Sequence, residues 1–141
     1  MTAQYPYSLT LPVTFRDLDV MNHINNAVYI TWFETVRTYY VAELLEIDSP
    51  RTLPIILAEI TCRYKAPGAW GETVIIGCGV SRLGTKSFDL AYAVTTTAGR
   101  SLALGSSVQV FYDYERQSSA LLPDSFRQRV AARQGDWRPP A

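Results

Sequence analysis

The sequence predicts an α+β protein in which one curved antiparallel β-sheet wraps around a long central α-helix. The first observation is segment 27–46, whose apolar residues recur every three or four positions, the spacing of one helix face. The second is a set of four later segments that alternate apolar and polar residues between short turns, as antiparallel strands do. Because a single sheet must cover its apolar face, the long helix is expected to lie on it.

The composition is that of one globular domain spanning residues 1–141. Hydrophobic residues make up 48% and charged residues 18%, which argues against a disordered chain. Thirteen basic side chains balance thirteen acidic ones, and the zero net charge argues against a nucleic-acid partner. No stretch is apolar enough for a membrane span and no secretory leader pattern is present, so we expect a cytoplasmic protein with no membrane partner.

The cysteines are expected to be reduced thiols in that compartment. There are two of them, Cys62 and Cys78, which are too few ligands for a zinc site. The sequence therefore predicts neither a metal site nor a cofactor.

The first and last elements are assigned from local pattern. Residues 7–15 alternate as a half-buried strand, and Pro12 predicts an edge position or a bulge because proline has no N–H. A second helix is predicted from Pro123-Asp124 to about Arg133, followed by a flexible tail over 136–141.

The other strands are expected to follow one another as an antiparallel meander. Their predicted ranges are 55–65, 72–82, 86–97 and 101–113. The alternation assigns one apolar face to each strand, in chain order Ala58, Ile60, Cys62 and Tyr64; Val74, Ile76, Cys78 and Val80; Phe88, Leu90, Tyr92 and Val94; and Leu102, Leu104, Ser106, Val108, Val110 and Tyr112.

The long segment 27–46 is rich in β-branched and aromatic residues, which favour strands. Its length is far beyond an ordinary strand, however, and its apolar positions have helical spacing. The predicted buried face comprises Tyr29, Phe33, Val36, Tyr40 and Leu44. Asn25 or Asn26 is the expected N-cap.

The polar turn before this helix is the candidate site. It concentrates Asp17, Asp19, His23, Asn25 and Asn26, and His23 is the only histidine. A helix start offers free backbone N–H groups that can hold an oxyanion, and a nearby carboxylate can act as base or nucleophile. The same residue types are also common in turns and caps for purely structural reasons, and spacing alone does not separate Asp17 from Asp19.

The stretch from Asp17 to Tyr29, DLDVMNHINNAVY, followed by Trp32-Phe33-Glu34 and Arg37, resembles hotdog-fold acyl thioesterases. This is the 4-hydroxybenzoyl-CoA thioesterase-like superfamily, and the nearest subgroup carries Asp, three residues, then His-x-Asn-Asn. The resemblance covers most of the chain and includes Tyr64-Lys65-Ala66-Pro67. It implies a hotdog fold and hydrolysis of an acyl-CoA or acyl-ACP thioester to the free acid.

The resemblance also implies roles for individual residues. Asp19 matches the general base or nucleophile, the backbone N–H near Asn26 the group that polarises the carbonyl, and His23 a residue that orients or catalyses. Asn25 matches a residue that ties the turn together or caps the helix. The remaining implied substrate contacts are Tyr29, Lys86 and Ser87, with Lys65 and Arg82 nearby and Trp32, Phe33 and Tyr64 along the acyl pocket.

Two departures from the family pattern concern the turn. Met21-Asn22 replaces the glycine pair of the benzoyl-type enzymes, so a different loop path is expected. Met21 also stands where plant acyl-ACP enzymes have an asparagine. Glu34 is a second candidate for a buried carboxylate, the alternative being a pair with Arg37 or Thr38.

The resemblance further implies a homodimer at least, with a tetramer possible and the sites at the dimer interface. Two other function classes stay open from the sequence: a hydratase or dehydratase of the same fold, and a non-catalytic protein that binds acyl thioesters.

Overall fold

The computed structural model describes residues 4–140. It contains six strands and two helices, with 3-10 turns at Phe15–Asp17 and Pro50–Thr52. In chain order the elements are β1 (Tyr7–Pro12), α1 (Asn26–Leu45), β2 (Ile55–Tyr64), β3 (Thr73–Leu83), β4 (Ser87–Thr96), β5 (Ser101–Asp113), β6 (Ser118–Ser119) and α2 (Asp124–Gln134).

The strands form one curled antiparallel sheet with α1 against its inner face, so the predicted α+β hotdog architecture is confirmed. The sheet order is β1-β3-β4-β5-β2, with β6 paired to β5. The continuous meander was wrong at one step, because β2 pairs with β5 and not with β3. The link over residues 65–72 is longer than the turns before β4 and β5, and it carries the chain across the end of the sheet.

The central helix α1 agrees with the predicted segment to within one residue at each end. Asn25 is the N-cap, because its side-chain oxygen accepts the N–H of Ala27 at 2.8 Å. Glu46 ends the helix in the left-handed conformation at φ 56°. The buried residues of α1 are Tyr29, Trp32, Phe33, Val36, Arg37, Tyr40, Val41 and Leu44.

The core lies between α1 and the inner face of the sheet. The apolar faces predicted for β3 and β4 are buried. The face predicted for β5 was wrong, because the buried inner residues include Ser107, Gln109 and Phe111, whereas Val108 and Val110 are half-exposed. Ser107 and Gln109 are hydrogen-bonded inside the core, so polarity does not mark the outer face of this strand.

The two edges of the sheet differ. β1 is the edge strand that Pro12 predicted, and Pro12 is its last residue. β2 forms the other edge and carries a bulge between Leu57 and Glu59, which leaves Ala58 exposed instead of buried. Leu57 is 41% exposed and Tyr64 is 44% exposed, so α1 covers this strand poorly.

The helix α2 packs beside α1. Phe126 and Val130 are buried, and Arg133 pairs with Glu43 at 2.7 Å. Within residues 4–140, neither helix has the length and apolar character needed to cross a bilayer.

The segment after α2 was expected to be a flexible tail over 136–141. The structure instead packs the Trp137 ring against the Tyr5 ring, with 5.2 Å between their centroids, and against Gly79. Only glycine fits at position 79, because a Cβ there would overlap the indole. Residue 141 lies outside the described residues.

Candidate active site

The turn before α1 is closed by short-range backbone bonds. The Asp19 N–H donates to the His23 carbonyl at 2.8 Å, and the Asn22 N–H donates to the Asp19 carbonyl at 3.1 Å. Asn22 has a φ of 63°, a left-handed conformation that asparagine tolerates better than most residues. Asn22 therefore allows a sharp turn where the related benzoyl-type enzymes use glycine.

The Asp19 side chain is held by the backbone of its own turn. Its Oδ1 accepts the N–H of Met21 at 2.9 Å and the N–H of His23 at 3.1 Å. No residue among 4–140 donates a hydrogen bond to Oδ2. One carboxylate oxygen thus fixes the side chain, and the other is free to meet a substrate or a water.

Asp17 has a different environment. Its Oδ2 accepts the N–H of Thr14 at 2.7 Å and the Thr14 hydroxyl at 2.9 Å. Its backbone carbonyl accepts the Asn25 N–H at 2.8 Å. The Asp17 carboxylate is therefore engaged in local structure, which distinguishes it from Asp19.

The N-terminus of α1 provides the second component. The Asn25 side chain caps Ala27, and the Asn26 N–H has no acceptor within the described part of the chain. The Asn26 carbonyl accepts the Tyr64 hydroxyl at 2.8 Å, which ties the helix start to the end of β2. A free N–H at the positive end of a long helix suits a developing negative charge.

A cleft of about 410 Å³ joins these components. Its lining residues are Asp19, Met21, His23, Ile24, Asn26, Tyr29, Tyr64, Lys65, Ala66 and Pro67. The Tyr29 and Tyr64 rings meet edge to face with 5.3 Å between their centroids and form its aromatic wall. Burial raises the pKa of Tyr29 to about 12.

The predicted site residues divide into two groups. Asp19, His23, Asn26 and Tyr29 line this cleft, and Asn25 caps the helix that borders it. His23 meets Asp19 through its backbone, and its ring makes no hydrogen bond within residues 4–140. The sequence had set Lys65 and Tyr64 beside the site but had not placed Met21, Ile24, Ala66 and Pro67 in it, although Tyr64-Lys65-Ala66-Pro67 resembled the family.

Lys86 and Ser87 form the second group and do not reach the cleft. They lie at the turn between β3 and β4, at the far end of β3 from the Asp19 turn. At about 3.3 Å per residue, this strand is roughly 35 Å long. Ser87 accepts a hydrogen bond from Arg82 at 3.1 Å, and Lys86 donates one to Ser119 at 3.3 Å.

Three helix residues also differ from expectation. Trp32 and Phe33 belong to the buried core and do not line the Asp19 cleft. Glu34 is exposed, so it is not a buried carboxylate, and it forms no ion pair within residues 4–140. Within the same residues, no group of three or more His, Cys, Asp or Glu side chains is placed to hold a metal ion.

Fold and site together define a hotdog protein whose central helix begins beside a carboxylate in a small open cleft. Residues 13–130 match the Thioesterase-like superfamily, and the chain belongs to that family. No curated protein matches the sequence.

Solved structures agree with this assignment. A thioesterase from Thermus thermophilus, complexed with coenzyme A and Zn, is 31% identical with a TM-score of 0.86, covering 97% of this chain and 98% of that one. A thioesterase superfamily member from Jannaschia sp. CCS1 is 25% identical with a TM-score of 0.85, covering 96% and 87%. BH1999, a gentisyl-coenzyme A thioesterase, is 24% identical with a TM-score of 0.77, covering 89% and 100%, and shows the shared fold.

Proposed function

We propose that the protein is an acyl-CoA thioesterase of the Asp-x3-His-x-Asn-Asn subgroup that hydrolyses an acyl thioester to the free acid and CoA. The observation that carries the proposal is the pairing of the free Asp19 Oδ2 with the free N–H of Asn26 in one cleft. The Thermus relative, whose printed description includes coenzyme A, supports CoA as the carrier.

In the proposed reaction the thioester carbonyl oxygen accepts the Asn26 N–H. Charge that develops on this oxygen is stabilised by the helix N-terminus, which needs no rearrangement during the reaction. Asp19 then removes a proton from an attacking water, or attacks the carbonyl carbon itself to form an anhydride that water cleaves. The CoA thiolate leaves and takes up a proton.

His23 is proposed to orient the turn. Its backbone N–H and carbonyl both bond to Asp19, so its position and that of the carboxylate are linked. A hydratase would need an imidazole paired with an acid over the substrate, and the His23 ring does not contact the Asp19 carboxylate here. The arrangement therefore favours thioester hydrolysis over that alternative.

The activity is tested by following thiol release with a chromogenic thiol reagent over short, medium, long and aromatic acyl-CoAs. Asp19→Asn is expected to lose about 100-fold or more in kcat, the usual contribution of a general base. Asp17→Asn is the matched control, because this carboxylate binds Thr14 and does not line the cleft. Equal turnover in wild type and Asp19→Asn would contradict the assignment of Asp19.

The carrier is tested in the same assay with matched acyl-ACP substrates. We expect the acyl-CoA to have the higher kcat/KM. A preference for acyl-ACP by tenfold or more would keep the thioesterase and replace the proposed carrier. Tight binding of acyl-CoA without thiol release would identify a binding protein instead.

We also propose a homodimer formed through the free edge of β2. Ile56 and Leu57 on this strand are 39% and 41% exposed, and an unpaired edge of this kind invites pairing with a second chain. Lys86 and Ser87 lie at the far end of the sheet from Asp19 in their own chain, so only a second copy brings them near this cleft.

Light scattering at micromolar concentration tests the dimer. Leu57→Asp is expected to shift the mass toward that of one chain. Leu121→Asp is the control, because Leu121 is 65% exposed and lies outside the sheet edge. A wild-type protein with the mass of one chain would refute the dimer.

A further inference from the structure

A second and larger cleft lies beside the C-terminal half of α1. It has a volume of about 1070 Å³ and is enclosed by α1, the loop over residues 46–54 and the inner side of β2. Small-molecule sites in proteins typically measure about 300 to 1,000 Å³. The size of this cleft therefore suits an organic ligand, and the function proposed above assigns it no part.

The floor of this second cleft carries a buried cation. Arg37 is only 7% exposed, and its guanidinium donates to the Tyr92 hydroxyl at 3.2 Å. Tyr92 lies 2.5 Å from the Ser107 hydroxyl, Ser107 donates to the Gln109 side-chain oxygen, and Gln109 donates to the Phe88 carbonyl at 3.1 Å. The hydrogen bonds of the network are all satisfied, and none of its members is a carboxylate.

The charge of Arg37 thus has no counter-ion within residues 4–140. Burial raises the pKa of Tyr92 and of Cys78, whose ionisation Arg37 would favour, so both neighbours stay neutral near pH 7. A buried charge without a partner is costly, and evolution normally pairs it.

The free N–H groups of Arg37 face the second cleft. A guanidinium has five N–H donors, and Tyr92 takes one of them. Among residues 4–140, no fully buried side-chain nitrogen or oxygen lacks a partner, so the remaining Arg37 nitrogens are open to the cleft that Arg37 lines. Two parallel N–H groups match the two oxygens of a carboxylate.

The walls of the second cleft are mixed. Leu53, Ile55 and Leu57 supply apolar surface beside the guanidinium. Glu34 and Asp48 line the same cleft. The Glu43 carboxylate also lines it but is paired with Arg133 at 2.7 Å. The acidic lining weakens binding of any anion, and this effect can be measured.

We infer that the second cleft binds the carboxylate of an apolar organic acid. The carboxylate pairs with the free N–H groups of Arg37, and the hydrocarbon body packs against Leu53 and Leu57. The inference does not depend on Asp19 or on thioester hydrolysis. The acid that the proposed reaction releases belongs to the same chemical class, so both clefts can be studied in one sample.

Calorimetric titration with octanoate and octanamide tests this inference, because the two probes share a chain length and differ in charge. We expect octanoate to bind about tenfold more tightly than octanamide, as a charge-assisted pair outweighs a neutral hydrogen bond. Arg37→Met is expected to abolish this difference while Asp19→Asn preserves it. Equal affinities in wild type, or loss of octanoate binding in Asp19→Asn, would overturn the inference.

Glu34→Gln provides a second variant that is safe for folding, because Glu34 is exposed. Removing this negative charge is expected to tighten octanoate binding about two- to threefold and leave octanamide unchanged, as for a nearby charge pair in water. Weaker or unchanged octanoate binding in Glu34→Gln would contradict an anion in this cleft. No heat from either probe at millimolar concentration would likewise reject the inference.

Discussion

The Asp19 turn and the Arg37 network are the two polar regions beside α1, and they are built in opposite ways. Asp19 is fixed by the N–H groups of Met21 and His23, two and four residues away in the chain. Arg37 is fixed by Tyr92, which is 55 residues away. The first region is open to a cleft through a free anion, and the second is open to another cleft through a free cation.

The difference shows how a fold divides local from long-range polar structure. A turn that closes on its own backbone positions its side chains before the sheet is complete. A network among distant side chains exists only once the helix and strands have packed. Substitutions in the first region should therefore affect chemistry, and those in the second should affect stability.

The largest expected effect separates these two readouts. Asp19→Asn should lower thioester turnover by about 100-fold or more while the free energy of unfolding changes by less than about 1 kcal/mol, since asparagine keeps an acceptor for both N–H groups. Turnover and urea unfolding are measured on the same preparation. A stability loss as large as the activity loss would make Asp19 a structural residue.

The second effect lies in the Arg37 network. Tyr92→Phe should cost about 1 to 3 kcal/mol of unfolding free energy, because the Arg37 N–H and the Ser107 hydroxyl lose their partner inside the core. Tyr29→Phe is the control, because the Tyr29 hydroxyl has no hydrogen-bond partner within residues 4–140. Equal midpoints for the two variants in urea would remove the energetic importance of the network.

The third effect is smaller and tests the helix cap. Asn25→Ala should cost about 1 kcal/mol of unfolding free energy, the usual value of an N-cap, and should also lower turnover because the first turn frays. Ser49→Ala removes a comparable cap at the 3-10 turn and should leave turnover unchanged. A turnover loss of equal size in both variants would argue against a catalytic part for the helix start.

The smallest effect is expected in alkaline solution. Burial raises the pKa of Tyr29 from 10.0 to about 12, so the folded protein holds this proton more tightly than the unfolded chain. The resulting stabilisation is complete below pH 10 and is lost as the pH rises toward 12. Unfolding free energies measured across this range should decline less in Tyr29→Phe, and identical slopes would contradict the assignment.

Much of the fold was predictable because its signals are local. The spacing of α1 and the alternation of β3 and β4 predicted the buried residues. The pairing of β2 with β5 was not predictable, since both possible neighbours of β2 present the same alternation. The face of β5 was missed because Ser107 and Gln109 are buried by partners that lie on other elements.

The candidate site shows the same division. Asp19, Asn25 and Asn26 share one turn, so their sequence proximity already placed them together. The sequence suggested both Asp17 and Asp19, and only the three-dimensional contacts of Thr14 distinguish them. Spacing gave no sign that Arg37 is buried, because a helix position becomes a core position only through what packs on it.

The hydrogen-bond chain that starts at Arg37 also has a fixed sense. A guanidinium can only donate and the Phe88 carbonyl can only accept, so the hydroxyls of Tyr92 and Ser107 are each left with a single orientation. These two hydroxyl protons should therefore exchange slowly with water and appear as separate proton resonances. Their chemical shifts would then report from inside the core on what occupies the second cleft.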